Sequence, residues 1–238
     1  EMNPSSAIYL ESDELVFEYT KGYELVRSLY GSLERVLVIG GGTFTYPRHL
    51  RMVSPQTLVD AVEIDPALTD LAAKYFRLDL SDERLRIINE DGRTYLNNYD
   101  GEGYDLIFGD AFKSFYTLPQ QLTTVEAVKA HYEALAEDGA VVLNIAGSVF
   151  GDTGQFFRAE LATYKEVFPQ VEVLLTRNSD PYALQNVLLV AFKTPRVFPA
   201  DVEEKFFREE IVLDLPILTD NFAPVEKYMM SFFDHLKL

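Results

Sequence analysis

Short apolar runs alternate with amphipathic stretches along most of the chain. Val36 to Ile39 are four consecutive apolar residues, three of them β-branched, as expected of a strand buried on both faces of a parallel sheet. Leu58 to Ile64, Leu85 to Ile88, Tyr104 to Gly109, Ala140 to Ile145, Val171 to Thr176 and Gln185 to Phe192 read as further strands, and Ala7 to Leu10 as a short one. Helical spacing separates them. Leu15, Val16, Tyr19, Tyr23, Val26 and Leu29 mark a helix within Asp13 to Tyr30, with Ser12 as its cap. Pro47 suits a helix first turn, where its missing N–H costs little. Asp65-Pro66 opens a helix through Phe76, and a short one runs from Asp91-Gly92 to Tyr99. Thr123 or Thr124 caps a helix to Ala136, Pro169 closes one from Asp152 to Phe168, and Asp201 to Arg208 is the last before an irregular tail. Such alternation with short connections predicts an α/β fold, a parallel sheet with helices on both faces. Residues 34–238 are expected to form one Rossmann-like catalytic unit, preceded by a strand and a helix in residues 1–33.

The polar residues that interrupt this pattern gather at strand ends. Gly40, Gly41 and Gly42 follow the first core strand. Glycine lets the chain turn sharply and a ligand approach the backbone, and free N–H groups at a helix start favour polar or anionic groups. Glu63 lies 21 residues after Gly42, at the end of the next strand, and a carboxylate there can take both hydroxyls of a ribose. Asp91 follows the third strand and Asp110 ends the fourth. Asp91 suits either an adenine amino group or a helix cap, and Asp110 suits holding an amine and taking its proton. On such sheets ligands bind at the carboxyl ends of strands, so these residues predict one nucleoside site. Thr45 stands where a dinucleotide fingerprint needs its third glycine, which disfavours a nicotinamide cofactor. The phosphate-loop pattern is absent.

Composition narrows the classes. The chain has 238 residues, 47% hydrophobic and 25% charged, enough for a large single core. No run approaches the roughly 18 apolar residues of a membrane helix, and no leader pattern opens the sequence, so a cytoplasmic location is expected. Glu1 stands before Met2, an unusual start that suggests a cloning remnant or a piece of something longer. Cysteine is absent, and His49, His131 and His235 lack metal-ligand spacing, so no metal is expected. The net charge of −17 argues against nucleic acid and would steer cationic substrates.

Taken together, Gly40-Gly41-Gly42, Val62-Glu63-Ile64-Asp65, Glu90-Asp91-Gly92-Arg93 and Tyr104-Asp105-Leu106-Ile107-Phe108-Gly109-Asp110-Ala111-Phe112 resemble the successive motifs of the spermidine synthase (polyamine aminopropyltransferase) family. Leu122-Thr123-Thr124-Val125-Glu126 is similar to its helix start after Pro119, and Leu218 to Glu226 to a C-terminal motif of the spermidine synthase-like branch, which includes proteins fused to membrane-spanning segments. The resemblance implies the seven-stranded sheet of S-adenosylmethionine-dependent methyltransferases and transfer of an aminopropyl group from decarboxylated S-adenosylmethionine to an amine such as putrescine. It implies donor binding by Gly40, Gly41, Gly42, Glu63, Asp91, Asp110 and Ala111, with Glu63 on the ribose and Asp91 on the adenine. Asp110 would be the catalytic residue and hold the attacking amine. Tyr46, Phe112, Phe115 and Tyr116 would offer aromatic faces to cationic groups, with Tyr46 and Tyr116 on the substrate. The partner is a small-molecule amine; a homodimer is left open.

Three features depart from the family pattern. Thr43-Phe44-Thr45 replaces the acidic half of the glycine loop, Lys113 replaces the second acid of a D-x-x-D motif, and only about 35 residues precede the first core strand, too few for the family's N-terminal β-hairpin domain. Asp13-Glu14 match an acidic pair there, and the tyrosine that follows it in the family corresponds to Phe17 or Tyr19. Two alternatives stay open: a methyltransferase using S-adenosylmethionine itself, and a non-catalytic adenosyl-binding module of a membrane-anchored protein.

Overall fold

In a computed structural model of the chain, residues 6–111, 119–177 and 179–235 are described. The elements run α1 (Glu18–Arg27), β1 (Arg35–Ile39), α2 (Thr45–Val53), β2 (Leu58–Val62), α3 (Pro66–Tyr75), β3 (Leu85–Ile88), α4 (Gly92–Asn98) and β4 (Tyr104–Gly109). After a 3₁₀ turn at Gln120–Leu122 come α5 (Val125–Ala134), β5 (Leu135–Gly147), α6 (Gln155–Lys165), β6 (Gln170–Leu175), β7 (Gln185–Phe192), α7 (Ala200–Glu203) and α8 (Val225–His235).

The strands form one seven-stranded sheet in the order β3-β2-β1-β4-β5-β7-β6. It is mixed: β7 is antiparallel to both β5 and β6, while the other pairings are parallel. The parallel sheet expected from the alternation of strands and helices holds except at β7, because the connection between β6 and β7 is too short for a crossover. The order reverses between β1 and β4, and that switch point is where such sheets open a crevice at their carboxyl edge.

Strand alternation explains the two layers. Leu37, Ile39, Ile107, Val141 and Ile145 point to one face, covered by α4, α5, α6 and α8. Val36, Val38, Leu106, Phe108 and Val142 point to the other, covered by α1, α2 and the segment around α7. A satellite cluster of Phe44, Ala61, Ala72 and Leu78 seats α3 against β2.

Several sequence expectations are revised. Ala7 to Leu10 is not a strand. The first helix starts at Glu18 with Phe17 at its N-cap, and Ser12 instead accepts from the Glu14 N–H. Thr124, rather than Thr123, caps α5 by accepting from the Ala127 N–H. The tail ends in α8, not irregularly: Val225, Tyr228, Met229 and Phe232 repeat at helical spacing and are buried. The Leu218–Glu226 stretch ties this tail down. Asp220 pairs with Arg93 at 3.0 Å and accepts from Thr124 Oγ1 at 2.6 Å.

Below the switch point, Asp60 of β2 is 2% exposed and lies among polar groups. Its carboxylate receives Arg86 Nε at 2.7 Å and Nη2 at 2.6 Å, the Tyr104 hydroxyl at 2.5 Å, and Arg35 at 3.5 Å. A carboxylate this deep is tolerable only when so fully paired.

Candidate active site

The glycine loop is fixed by both neighbours of β1. The Gly40 and Gly41 N–H groups donate to Val62 O at 2.9 and 3.1 Å, and the Asp110 N–H donates to Ile39 O at 2.9 Å. Gly40 has φ of +88°, and a Cβ there would lie 2.5 Å from Asp110 O and 2.6 Å from Ala111 Cα. The β1 and β4 loops therefore meet backbone to backbone, which only glycine permits.

Phe44 explains the departure at Thr43-Phe44-Thr45. It sits at the N-cap of α2 in a left-handed conformation, φ 57°, with its side chain fully buried and its ring against Gly41. That conformation costs of order 1–3 kcal/mol in a non-glycine residue, offset by burying a Phe ring, about 1.5–3 kcal/mol. Here this half of the loop fills core.

Glu63 is 7% exposed and faces the loop. Its Oε2 accepts from the Gly42 N–H at 2.7 Å and its Oε1 from the Asp65 N–H at 2.9 Å. Each oxygen keeps a further lone pair, so both can still accept from vicinal hydroxyls. Asp65, as expected, caps α3 through the Ala67 N–H. Asp91 caps α4 by accepting from the Arg93 and Thr94 N–H groups, and its other oxygen accepts from Gln121 Nε2 at 2.9 Å. Burial works to raise its pKa, but the bonds from Gln121, Thr94 and Arg93 outweigh it and hold the group below the usual range.

Ala111 lines a largely apolar recess together with Ile39, Pro119 and Leu122. Its floor carries Glu160 and His131, both buried. Neither Glu160 oxygen has a hydrogen-bond partner among the described residues, and burial keeps this carboxyl protonated well above the usual range. Burial also depresses His131 to about 4, so it is neutral.

Asp110 points to the opposite face of the sheet. Asn144 Nδ2 donates to its Oδ1 at 2.8 Å, and the Tyr19 hydroxyl also hydrogen-bonds the carboxylate. Burial raises Asp110 to about 6, against the lowering effect of those two bonds. Beneath it, Tyr23 of α1, Tyr46 of α2 and Phe108 of β4 pack edge-to-face or tilted, with ring centroids 4.9 Å apart in each pair. Tyr46 is thus a core residue here, 5% exposed, with its hydroxyl donating to Glu24 at 3.1 Å. Of the two N-terminal aromatics, Tyr19 reaches Asp110, while Phe17 stacks on Tyr19 at 5.7 Å. Phe112, Lys113, Phe115 and Tyr116 lie outside the described residues.

The crevice at the β1/β4 switch point thus joins a glycine turn, the Glu63 carboxylate at the end of β2 and a separate acid at the end of β4. A family model described as "Spermine/spermidine synthase domain" matches residues 23–194. The chain belongs to the spermine/spermidine synthase family. A polyamine aminopropyltransferase from Vibrio vulnificus is 34% identical over 137 residues, covering 57% of this chain and 44% of that protein. The chain matches about half the length of such curated relatives. Among solved structures, a probable spermidine synthase from Corynebacterium glutamicum superposes with a TM-score of 0.66 at 26% identity, covering 78% of this chain and 67% of that one. A spermidine synthase in complex with the transition state analogue AdoDATO superposes with a TM-score of 0.62 at 21% identity, over 92% of this chain and 73% of that one, and shares the fold.

Within this family frame the fold expectation holds: the sheet is the seven-stranded, methyltransferase-type one. Gly40 to Gly42, Glu63, Asp110 and Ala111 converge on the switch point, with Asp91 beside them at the start of α4. Sequence reasoning passed over Asn144, although one amide inside the otherwise apolar run Ala140 to Ile145 was a signal. Among the described residues no group of acids and histidines could hold a metal, and no helix is long and apolar enough to cross a membrane.

Proposed function

We propose that this domain transfers an aminopropyl group from decarboxylated S-adenosylmethionine to an amine. The observation that carries the proposal is Asp110, a half-buried carboxyl at the switch point with a proton affinity near neutrality and no described cation bonded to it. Family membership and the Glu63 cradle support the adenosyl donor. The ribose would lie on the two free lone pairs of Glu63, and the adenine against Ala111, Pro119 and Leu122. Reading of its amino group by Asp91 requires Gln121 to yield one hydrogen bond.

The chemistry needs a neutral amine. Its nitrogen lone pair attacks the propyl carbon bonded to sulfur, the C–S bond breaks, and its electrons return to sulfur, leaving methylthioadenosine. The nitrogen then sheds a proton, and Asp110 is the base that takes it. A carboxylate near pKa 6 is ionised at neutral pH yet holds a proton better than an ordinary aspartate. Its burial beside aromatic rings suits a cationic reacting group. Putrescine or another polyamine would be the acceptor.

The test is Asp110→Asn. It should abolish amine-dependent formation of methylthioadenosine while leaving thermal stabilisation by the adenosyl donor unchanged. Full activity in this variant would remove Asp110 from the mechanism.

A further inference from the structure

Asp110 is held through a chain of amides that crosses three strands. Asn186 on β7 donates its Nδ2 to Asn144 Oδ1 at 2.9 Å. Asn144 on β5 donates its own Nδ2 to Asp110 Oδ1 at 2.8 Å. Asn144 is 3% exposed and interrupts the apolar run Ala140–Ile145 of β5, and Asn186 follows Gln185 at the start of β7. The chain has a direction. With its oxygen occupied by Asn186, the Asn144 amide cannot turn round, so it must present N–H to the carboxylate.

We propose that Asn144, with its amide clamped by Asn186, is a positioning residue that holds the Asp110 carboxylate as the proton acceptor of the reaction. The role in proton transfer rests on the function proposed above; the clamp itself does not. From α1, the titratable groups facing Asp110 are Tyr19 and Tyr23, and burial raises both well above their ordinary range, so they stay neutral. From β5 and β7 the facing groups are the two neutral amides. No described lysine or arginine pairs with the carboxylate. Neutral donors favour the ionised form without neutralising it, so the group stays a base instead of being spent in an ion pair. Removing the Asn144 donor leaves an acceptor-only carboxylate short of a partner, and it binds its proton more tightly.

The test uses neutral variants, Asn144→Leu, Asn186→Leu and the pair together, in the full chain. The Asp110 carboxyl is titrated directly by carbon NMR, and the pH profile of kcat is recorded alongside. Asn144→Leu should raise the Asp110 midpoint by about one pH unit, a roughly tenfold tighter proton, and move the acid limb of kcat by the same amount. Asn186→Leu should move both in the same direction by less. The double variant should match Asn144→Leu alone, since the clamp acts only through that amide. An unmoved midpoint in Asn186→Leu, or additive shifts in the pair, overturns the proposal, and Asn186→Leu decides it even if Asn144→Leu fails to fold. Shifted midpoints in a protein that transfers no aminopropyl group support the clamp and refute the proposed function instead.

Discussion

Asp110→Asn should make the protein more stable at neutral pH while removing its activity. Burial raises the carboxyl to about 6 from an ordinary 3.8, so the folded chain binds this proton more tightly than the unfolded chain does. Stability from this group is therefore complete below about pH 4, is lost as the pH rises toward about 6, and stays lost above that. The full span corresponds to about 3 kcal/mol. Asp110 is partly exposed, and screening at its solvent edge reduces this to about 2 kcal/mol. Asparagine carries no charge to desolvate, and its carbonyl can still accept from Asn144. For a chain of this length the gain is about 4–8 °C in Tm. Urea or thermal unfolding of both proteins at pH 7.5 and pH 4.5 measures it. The advantage should be about 2 kcal/mol at pH 7.5 and under about 1 kcal/mol at pH 4.5. An asparagine variant less stable than the parent at pH 7.5, or an advantage that does not change with pH, would refute the reasoning.

Further predictions concern the loop and the buried acids. Gly40→Ala sets a Cβ against the Asp110 and Ala111 backbone, which no rotamer change relieves, whereas Gly42→Ala meets nothing closer than Ser6 Oγ at 3.9 Å. Both pay about 1 kcal/mol for positive φ, so Gly40→Ala should cost at least about 2 kcal/mol more; equal losses by urea unfolding would contradict the close approach. Asp60→Ala removes the carboxylate shared by Arg35, Arg86 and the Tyr104 hydroxyl, for a loss of about 3–5 kcal/mol, and a loss under about 1 kcal/mol would show the cluster to be solvated. Glu160→Met replaces an unpartnered buried carboxyl with an apolar side chain and should gain about 1–3 kcal/mol at pH 7. A destabilised variant would mean that Glu160 has a partner the hydrogen-bond pattern does not reveal.

Much of the fold was legible because the sheet is buried on both faces. The apolar runs at Leu85 to Ile88, Tyr104 to Gly109 and Gln185 to Phe192 mark their strands to the residue. What misled was local. Ala7 to Leu10 has strand composition but no strand beside it to pair with, and α8 was hidden behind Pro224 although its buried positions repeat at helical spacing. The antiparallel turn of β7 leaves no mark in a strand's own composition, because both faces are buried whichever way it runs.

At the crevice, the strand-end rule singled out Glu63, Asp91 and Asp110 because ligands on such sheets bind at carboxyl edges. It could not separate an acid facing a crevice from one facing its own backbone. Asp91 does the second, with both oxygens engaged by α4 and Gln121. Tyr46 looked available because aromatic residues near a glycine loop suit cations, but the period of α2 turns it into the core. Asn144 escaped, and Tyr19 could not be told from Phe17, for the opposite reason: which of them reaches Asp110 depends on which elements meet in space, α1 and β5 around the end of β4.

The central claim is aminopropyl transfer, and the product formed from each sulfonium donor tests it most directly. The protein is incubated with decarboxylated S-adenosylmethionine or S-adenosylmethionine and a panel of di- and polyamines, and the adenosyl product is identified by mass spectrometry. Methylthioadenosine that appears only with the decarboxylated donor and an added amine is the predicted result. S-adenosylhomocysteine from the other donor, or no adenosyl product despite thermal stabilisation by either, would contradict it.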